Sequence, residues 1–351
     1  MKEVDIEVPL ADTTHEEQYA RSRAVVAELT GHGHWTQAEQ EERIHIIPFT
    51  LGLTNLLFKA EVEGEGGARE MMVRVYGAGT GALVDREREL AVLQSVDDEL
   101  VVGAFANGVV LAFKPGKCLR PHQIDAPAMQ ARIGAGLARL HRRRMPGAPA
   151  DARQFWATLR SWTRDLIERV PDYTFESFDG KKFAAKDLMT ELEETEAYFS
   201  TRNDLPVVLC HNDLNAENCI FDEASDTMTF VDYEYTCTAY RGFDIGNHFC
   251  EYAGIDTNLD FSGCYPSREA QRPFLAAYLR ESGKEATEEE VAALFEEANA
   301  CAQLSNLFWG VWGVLQDTFS TLDFDFTQYG TRRLQEYYSR IREPKYPLRM
   351  L

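Results

Sequence analysis

The sequence predicts a two-lobed α+β protein with a β-rich N-terminal lobe and a mainly helical C-terminal lobe. Three observations carry this expectation. Apolar and polar residues alternate in "RIHIIPF" (43–49), "TNLLFKAEV" (54–62) and "EMMVRVYG" (70–77), the period of half-buried strands. The character of the chain then changes at Pro115-Gly116, two residues that interrupt regular structure. Beyond that joint, helical patterning runs over 126–143, 151–169, 185–200, 269–282, 287–319 and 328–342. At 351 residues the chain is long enough for two such units, expected at 1–115 and 116–351.

The elements follow in order. Residues 14–30, "THEEQYARSRAVVAELT", read as an amphipathic helix capped by Thr13 or Thr14. Gly52 and the Gly64-Gly66-Gly67 cluster supply turns between the first strands. A charged helix, "ALVDRERELAVLQSV" (82–96), comes next, and strands at 100–105 and 108–113 meet across Asn107-Gly108, a hairpin signal. One β insertion interrupts the helical remainder, where "VVLCHND" and "NCIF" are followed by "MTFVDYEY". Residues 170–185 read as an exposed loop, and neither a repeat nor a low-complexity tract is present.

Composition narrows the function classes. The chain is 44% apolar and 26% charged, ordinary for a globular protein. No apolar run approaches the roughly 18 residues of a membrane span, and the acidic start "MKEVDIEVPL" is unlike a signal peptide. A net charge of −21 opposes nucleic acid or anionic lipid as partner, because both are held largely by Lys and Arg. It is compatible with a small cationic substrate, although solvated acidic helix faces account for the charge equally well. Seven cysteines (118, 210, 219, 237, 250, 264 and 301) form no C-x-x-C pair, which points to reduced thiols and a cytoplasmic location.

The densest chemistry lies in "LCHNDLNAEN" (209–218), where carboxylates and amides follow directly on an apolar strand. His211-Asn212-Asp213 and Asn218 have the H-x-D-x-x-x-x-N spacing of a phosphoryl-transfer loop, and a second strand then ends in Asp232. Phosphoryl transfer gathers negative charge, so it needs positioning together with Mg²⁺ neutralisation, and hard oxygen ligands on two neighbouring loops supply both. Asp213 is the candidate base for the attacking hydroxyl, and Asn218 and Asp232 are the candidate Mg²⁺ ligands. A self-capping Asx turn is the bland alternative for Asp213 and Asn218 alone. His211 is expected to brace the loop, and Asp244 to receive its backbone N–H groups or to meet the substrate; His248 belongs to the same motif. His32 and His34 in "GHGHW" are too few to hold a metal.

ATP also needs a cation on its phosphates. Arg74 sits mid-strand in "MMVRVYG", where a charged side chain beside Val73 and Val75 requires a partner. The 82–96 helix offers Glu87 and Glu89, of which Glu89 is preferred; the alternative is an edge-strand Arg74 facing water. The turn "FTLGLTN" (49–55) is a candidate cover for the phosphates through Thr54 and Asn55, and Phe113 at the joint is a candidate nucleotide contact.

The remaining signal is aromatic. Trp309 and Trp312 stand at i and i+3 in "NLFWGVWG", with Gly310 and Gly313 expected to leave room beside them. Tyr233, Tyr235, Tyr252, Phe324, Phe326 and Tyr329 recur in the neighbouring motifs, with Glu234 and Glu251 among them. Aromatics at helical spacing are commonly core, yet an aromatic box beside a carboxylate is also how proteins hold ammonium groups.

"VVLCHNDLNAEN", "FVDYEYTCTAYRGFDIGNHFCEYAG", "MVRVYG" with "LVDREREL", and "FWGVWGVLQ…FSTLDFDFTQY" together resemble the eukaryotic choline/ethanolamine kinases, from about residue 20 to 345. The resemblance implies a protein-kinase-like fold and ATP-dependent phosphorylation of an amino alcohol, the first step of the CDP-ethanolamine or CDP-choline route to phospholipids. It also implies Asp213 as base, Asn218 and Asp232 as Mg²⁺ ligands and Arg74 as the phosphate cation. It maps a cationic headgroup pocket onto Tyr235, Glu251, Trp309, Trp312 and Tyr329, with Tyr252 and Phe326 as lesser candidates. "LVDREREL", "HNDL", "EYAG" and "TLDFDF" lean toward ethanolamine kinases, and "YRGFDIGNHFCE" toward choline kinases. Ethanolamine is therefore the expected acceptor, with choline as a second acceptor left open. The alternatives are a choline kinase proper, a kinase of another hydroxylated amine such as an aminoglycoside, and a catalytically silent nucleotide-binding protein. Nucleic acid and membrane insertion are not expected, and a homodimer is left open.

Overall fold

The computed structural model describes residues 1–340 apart from 11–13, 50–54, 65, 66, 78–80, 82, 98, 146, 255 and 321. The chain divides into two compact units, Met1–Pro115 and Gly116–Leu351.

The first unit runs β1 (Lys2–Val4), α1 (His15–Leu29), α2 (Gln37–Arg43), β2 (Ile44–Phe49), β3 (Leu56–Val62), β4 (Arg69–Val75), α3 (Arg86–Val96), β5 (Val101–Phe105) and β6 (Gly108–Ala112). The helices begin where side chains can satisfy free backbone N–H groups. Thr14 accepts from the Glu17 amide, Thr36 and Glu39 form a reciprocal capping box, and Asp85 accepts from the Arg88 amide. That last cap starts α3 at Arg86, later than the expected residue 82. Strand β1 and helix α2 lie outside the expected elements. The six strands are ordered β1-β5-β6-β4-β3-β2, with β1 parallel to β5 and the other pairs antiparallel. Phe58, Ala60 and Val62 of β3 and Met71, Val73 and Val75 of β4 face Val25 and Val26 of α1 in one buried cluster. Each large side chain of this kind contributes roughly 1.5–3 kcal/mol by burial. Strand β4 is internal, so Arg74, in register with Leu57 and Val109, is no edge residue facing water.

The second unit opens with β7 (Lys117–Cys118), α4 (Pro127–His141), α5 (Arg153–Arg169), β8 (Thr174–Glu176), β9 (Lys182–Ala184) and α6 (Asp187–Ser200). It continues through β10 (Val207–Cys210), β11 (Cys219–Asp222), β12 (Thr227–Phe230), β13 (Cys237–Tyr240), α7 (Arg241–Cys250), α8 (Phe261–Cys264), α9 (Arg268–Glu281), α10 (Glu288–Gln316) and α11 (Phe326–Arg340). Gly116 opens the unit at φ +115°, and a Cβ there would stand 2.7 Å from the Phe221 carbonyl oxygen, so only glycine fits against β11.

Three expectations are corrected here. Residues 170–185 are not a loop: β8 and β9 pair as a hairpin whose Phe175 is buried, with Phe175 and Phe183 packed against Tyr338. Helix α7 was not expected at all. Gly310 and Gly313 do not make room for the tryptophans; a Cβ on either would strike Leu334 or Gly330 of α11 at 2.7–2.8 Å, so they set the close approach of α10 to α11. Among the described residues, no helix is long and apolar enough to cross a membrane.

Candidate active site

In the second unit, strand pairing brings two loops side by side. Strand β10 pairs with β13 so that Cys210 faces Cys237, and β11 pairs with β12 so that Cys219 faces Phe230. Residues 211–218 therefore run from the end of β10 to the start of β11. Residues 231–236 run from the end of β12 to the start of β13, bridging the same two ribbons at the same end. The loops are bonded to one another: Val231 N donates to the Asn218 carbonyl at 3.0 Å, His211 Nε2 meets the Val231 carbonyl at 2.9 Å, and Asn212 Nδ2 donates to the Tyr235 carbonyl at 2.8 Å.

Within the first loop, Asn218 Nδ2 donates to the Asp213 carbonyl at 2.8 Å and to Asp213 Oδ2 at 3.0 Å, and Asn215 Nδ2 donates to Asp213 Oδ1 at 3.2 Å. The loop is held from behind by α7. Asp244 accepts the backbone N–H of His211 at 2.6 Å and that of Asn212 at 2.8 Å, while His141 Nε2 contacts its Oδ2 at 2.9 Å. Burial raises the Asp244 carboxyl, but the His141 hydrogen bond and charge and the His211 N–H outweigh it and hold the group below its usual range. Of its two expected roles Asp244 thus takes the structural one. His211 braces as expected, and His248 Nδ1 meets the Leu214 carbonyl at 2.8 Å. In the first unit, His32 stacks on Trp35 at 4.0 Å.

Two backbone positions stand out. Asn212 and Asp232 are non-glycine residues at φ +69° and +66°, in the left-handed region. Asn and Asp tolerate it better than other residues, but such angles cost free energy and cluster at functional sites. Around Asp213 the electrostatics are equally uneven. Burial pushes its carboxyl well above the usual range, and the carboxylates of Glu251, Asp232 and Glu234 push it further.

The aromatic candidates are also brought together. The Tyr235 ring lies 5.1 Å from Trp309 and 6.3 Å from Trp312, Trp309 and Trp312 are 5.1 Å apart, and Tyr329 is 6.3 Å from Trp312. All of these contacts are edge-to-face rather than stacked. Trp312 Nε1 donates to the Tyr235 hydroxyl at 2.9 Å, whereas the buried Trp309 Nε1 has no hydrogen-bond partner among the described residues. Tyr235 belongs to the same 231–236 loop as Asp232, and Asn212, next to Asp213, donates to the Tyr235 carbonyl at 2.8 Å, so the box adjoins the two carboxylate-bearing loops. Glu251 is present too, but not alone: Arg333 Nη2 donates to its Oε1 at 2.6 Å. Sequence reasoning missed Arg333. Its signal was a cation in register with Tyr329 and Tyr337 on the buried stripe of α11. Of the lesser candidates, Phe326 packs 5.7 Å from Trp312, and Tyr252 instead bonds to the Ile124 carbonyl.

In the first unit, Arg74 Nη1 donates to Glu89 Oε1 at 2.6 Å with both side chains buried, as expected. Arg86, also missed, donates to Glu89 Oε2 at 2.8 Å and stacks on Tyr76. Asn55 Oδ1 accepts from the Gly77 amide, and Phe113 packs under the Lys59 ammonium at 4.8 Å. Thr54 lies outside the described residues.

The family model of the choline/ethanolamine kinases matches residues 46–338. Ethanolamine kinase 1 of Mus musculus is 32% identical, over 95% of this chain and 93% of its own. The solved structure of an ethanolamine kinase from Plasmodium vivax matches with a TM-score of 0.79 at 27% identity, covering 97% of this chain and 92% of that one. A choline kinase from Cryptosporidium parvum matches at 0.68 and 20% identity, covering 85% and 89%, a likeness of fold alone. The fold is protein-kinase-like, and the chain belongs to the choline/ethanolamine kinase family.

Proposed function

We propose that this member of the choline/ethanolamine kinase family transfers the γ-phosphoryl group of ATP to the hydroxyl of ethanolamine. The observation that carries the reading is a single juxtaposition: the Asp213–Asn218 loop, bonded to the loop of Asp232, adjoins the box of Tyr235, Trp309, Trp312 and Tyr329. The named activities of the mouse and Plasmodium relatives support the same acceptor.

Asp213 orients the hydroxyl and accepts its proton as the oxygen attacks phosphorus. Burial and the neighbouring carboxylates raise its proton affinity, the direction a general base needs. Asn218 and Asp232 are the proposed Mg²⁺ ligands. The donor set fits a hard cation: amide and carboxylate oxygens only, with mutually repelling carboxylates around Asp213 that a divalent charge relieves. When bound, Mg²⁺ neutralises charge on the triphosphate. In the first unit Arg74, fixed by Glu89, is the proposed cation for the ATP phosphates, with Thr54, Asn55 and Phe113 as further nucleotide contacts.

The aromatic faces attract the ammonium through the ring quadrupole, and Glu251 adds a hydrogen-bond acceptor. A primary ammonium uses both; the trimethylammonium of choline uses the faces alone, so choline is the second reading. The seven free thiols accord with a cytoplasmic setting, which we also propose. The test is coupled ADP release with ethanolamine, choline and an aminoglycoside panel at fixed Mg-ATP. Release stimulated by ethanolamine is expected. Stimulation by choline only, by an aminoglycoside only, or by none of them rejects the ethanolamine reading.

A further inference from the structure

Helix α11 carries a guanidinium into the interior. Arg333 is among the largest fully buried side chains, and its one short hydrogen bond runs from Nη2 to Glu251 Oε1 at 2.6 Å. Nη1 reaches Asn306 Oδ1 only at 3.5 Å, and Nε has no hydrogen-bond acceptor among the described residues. The guanidinium stands 5.2 Å from the centre of the Tyr329 ring and 5.5 Å from that of Phe261. An Arg offers five N–H donors, so burying it with so few acceptors is costly, and an apolar side chain of like volume would fill the space at less expense. What an apolar side chain could not do is hold Glu251 in one orientation through a hydrogen bond.

Glu251 has a matching asymmetry. Among the described residues its carboxylate takes that hydrogen bond at Oε1, which leaves Oε2 as the acceptor still to be used. A primary ammonium has N–H donors to give to such an oxygen. A quaternary ammonium has none, so its attraction to Glu251 is Coulombic and tolerant of how the carboxylate is turned. We infer that Arg333 is a positioning residue that fixes Glu251 so that Oε2 accepts an N–H from a primary ammonium, and that it thereby sets the preference for ethanolamine over choline. The inference rests on the amino-alcohol reading of this site.

The test compares Arg333→Gln, Arg333→Lys and Glu251→Gln with the unaltered protein on both acceptors at saturating Mg-ATP. Activity of the unaltered protein on an amino alcohol speaks for the reading of the site; the change in acceptor preference speaks for Arg333. Arg333→Gln is expected to lower kcat/KM for ethanolamine about tenfold more than for choline, the size of one charge-assisted hydrogen bond, and to do so through KM. Glu251→Gln should show the same lost preference, the double variant should add little to either, and Arg333→Lys should recover part of it. An equal fall for both acceptors, or a fall confined to kcat, overturns the inference. If Arg333→Gln does not fold, Arg333→Lys and Glu251→Gln decide by themselves, and an unchanged preference in both overturns it.

Discussion

Two buried arginine–glutamate pairs in this chain make the same 2.6 Å contact in opposite surroundings. In the first unit one carboxylate, Glu89, serves two guanidiniums, Arg74 and Arg86. In the second, one guanidinium, Arg333, meets Glu251 amid carboxylates that press on Asp213. A buried pair by itself is weak evidence for stability, because desolvation offsets most of the attraction. The charge of each network itself is more informative. Arg74, Arg86 and Glu89 sum to a positive group in the unit where triphosphate contact is proposed. Glu251 instead joins Asp232 and Glu234 in pressing on Asp213, a negative group where an ammonium is proposed.

The largest expected effect falls on the negative side. Asp213→Asn should lose at least about two orders of magnitude in kcat, the usual contribution of a positioned base. It should also raise the melting temperature of the metal-free protein. The sign follows from the raised carboxyl: the folded state binds its proton more tightly than the unfolded one, so ionising it at neutral pH costs stability that acidification restores. Near-full turnover with an unchanged melt would break the contrast.

A second effect concerns the brace rather than the charge cluster. Burial holds His248 down to about 4, so the folded chain refuses a proton that the unfolded chain takes up near pH 6.5. Stability from this group is complete above about pH 6.5 and is lost as pH falls toward about 4, by up to about 3 kcal/mol. Urea titrations across that range should show the slope, and His248→Gln should flatten it; an unchanged slope would remove His248 as its source.

On the positive side, Arg74→Met should raise KM for ATP about tenfold, as expected for losing one charge-assisted hydrogen bond to phosphate, while KM for ethanolamine stays constant. Loss of stability should stay below the roughly 3–5 kcal/mol of a wholly orphaned buried charge, because Arg86 still holds Glu89. Equal changes in both KM values would deny the division of labour. The effect with least bearing on chemistry is mechanical: Gly330→Ala would place a Cβ 2.6 Å from the Gly310 carbonyl oxygen, costing about 1–3 kcal/mol by overpacking in a thermal melt.

Much of this was legible where the signal is local. The spacing of Asp213 and Asn218 and the strand-end position of Asp232 lie within short stretches, so sequence alone set them on adjoining loops. A charge mid-strand demands a partner, which is how Glu89 could be paired with Arg74 before any coordinates. Features that depend on distant packing were not legible. Helix α7 is only ten residues long and carries Gly242, Gly246 and Asn247, residues that read as breakers until the burial from Gly242 to Cys250 is seen. Arg333 looks like the half-buried Arg332 beside it until α11 is seen against α10. The hairpin at 174–184 did have a mark, Asp179-Gly180 with Gly180 at φ +78°, which polar surroundings obscured.

The central claim is a transfer of phosphoryl to the oxygen of a small amino alcohol, with Asp213 taking the proton. Phosphorus NMR of a reaction containing the protein, Mg-ATP and ethanolamine tests it most directly. The account expects a new phosphomonoester resonance growing with ADP, absent with Asp213→Asn. ADP appearing with inorganic phosphate alone, or the same phosphomonoester formed at full rate by Asp213→Asn, would contradict it.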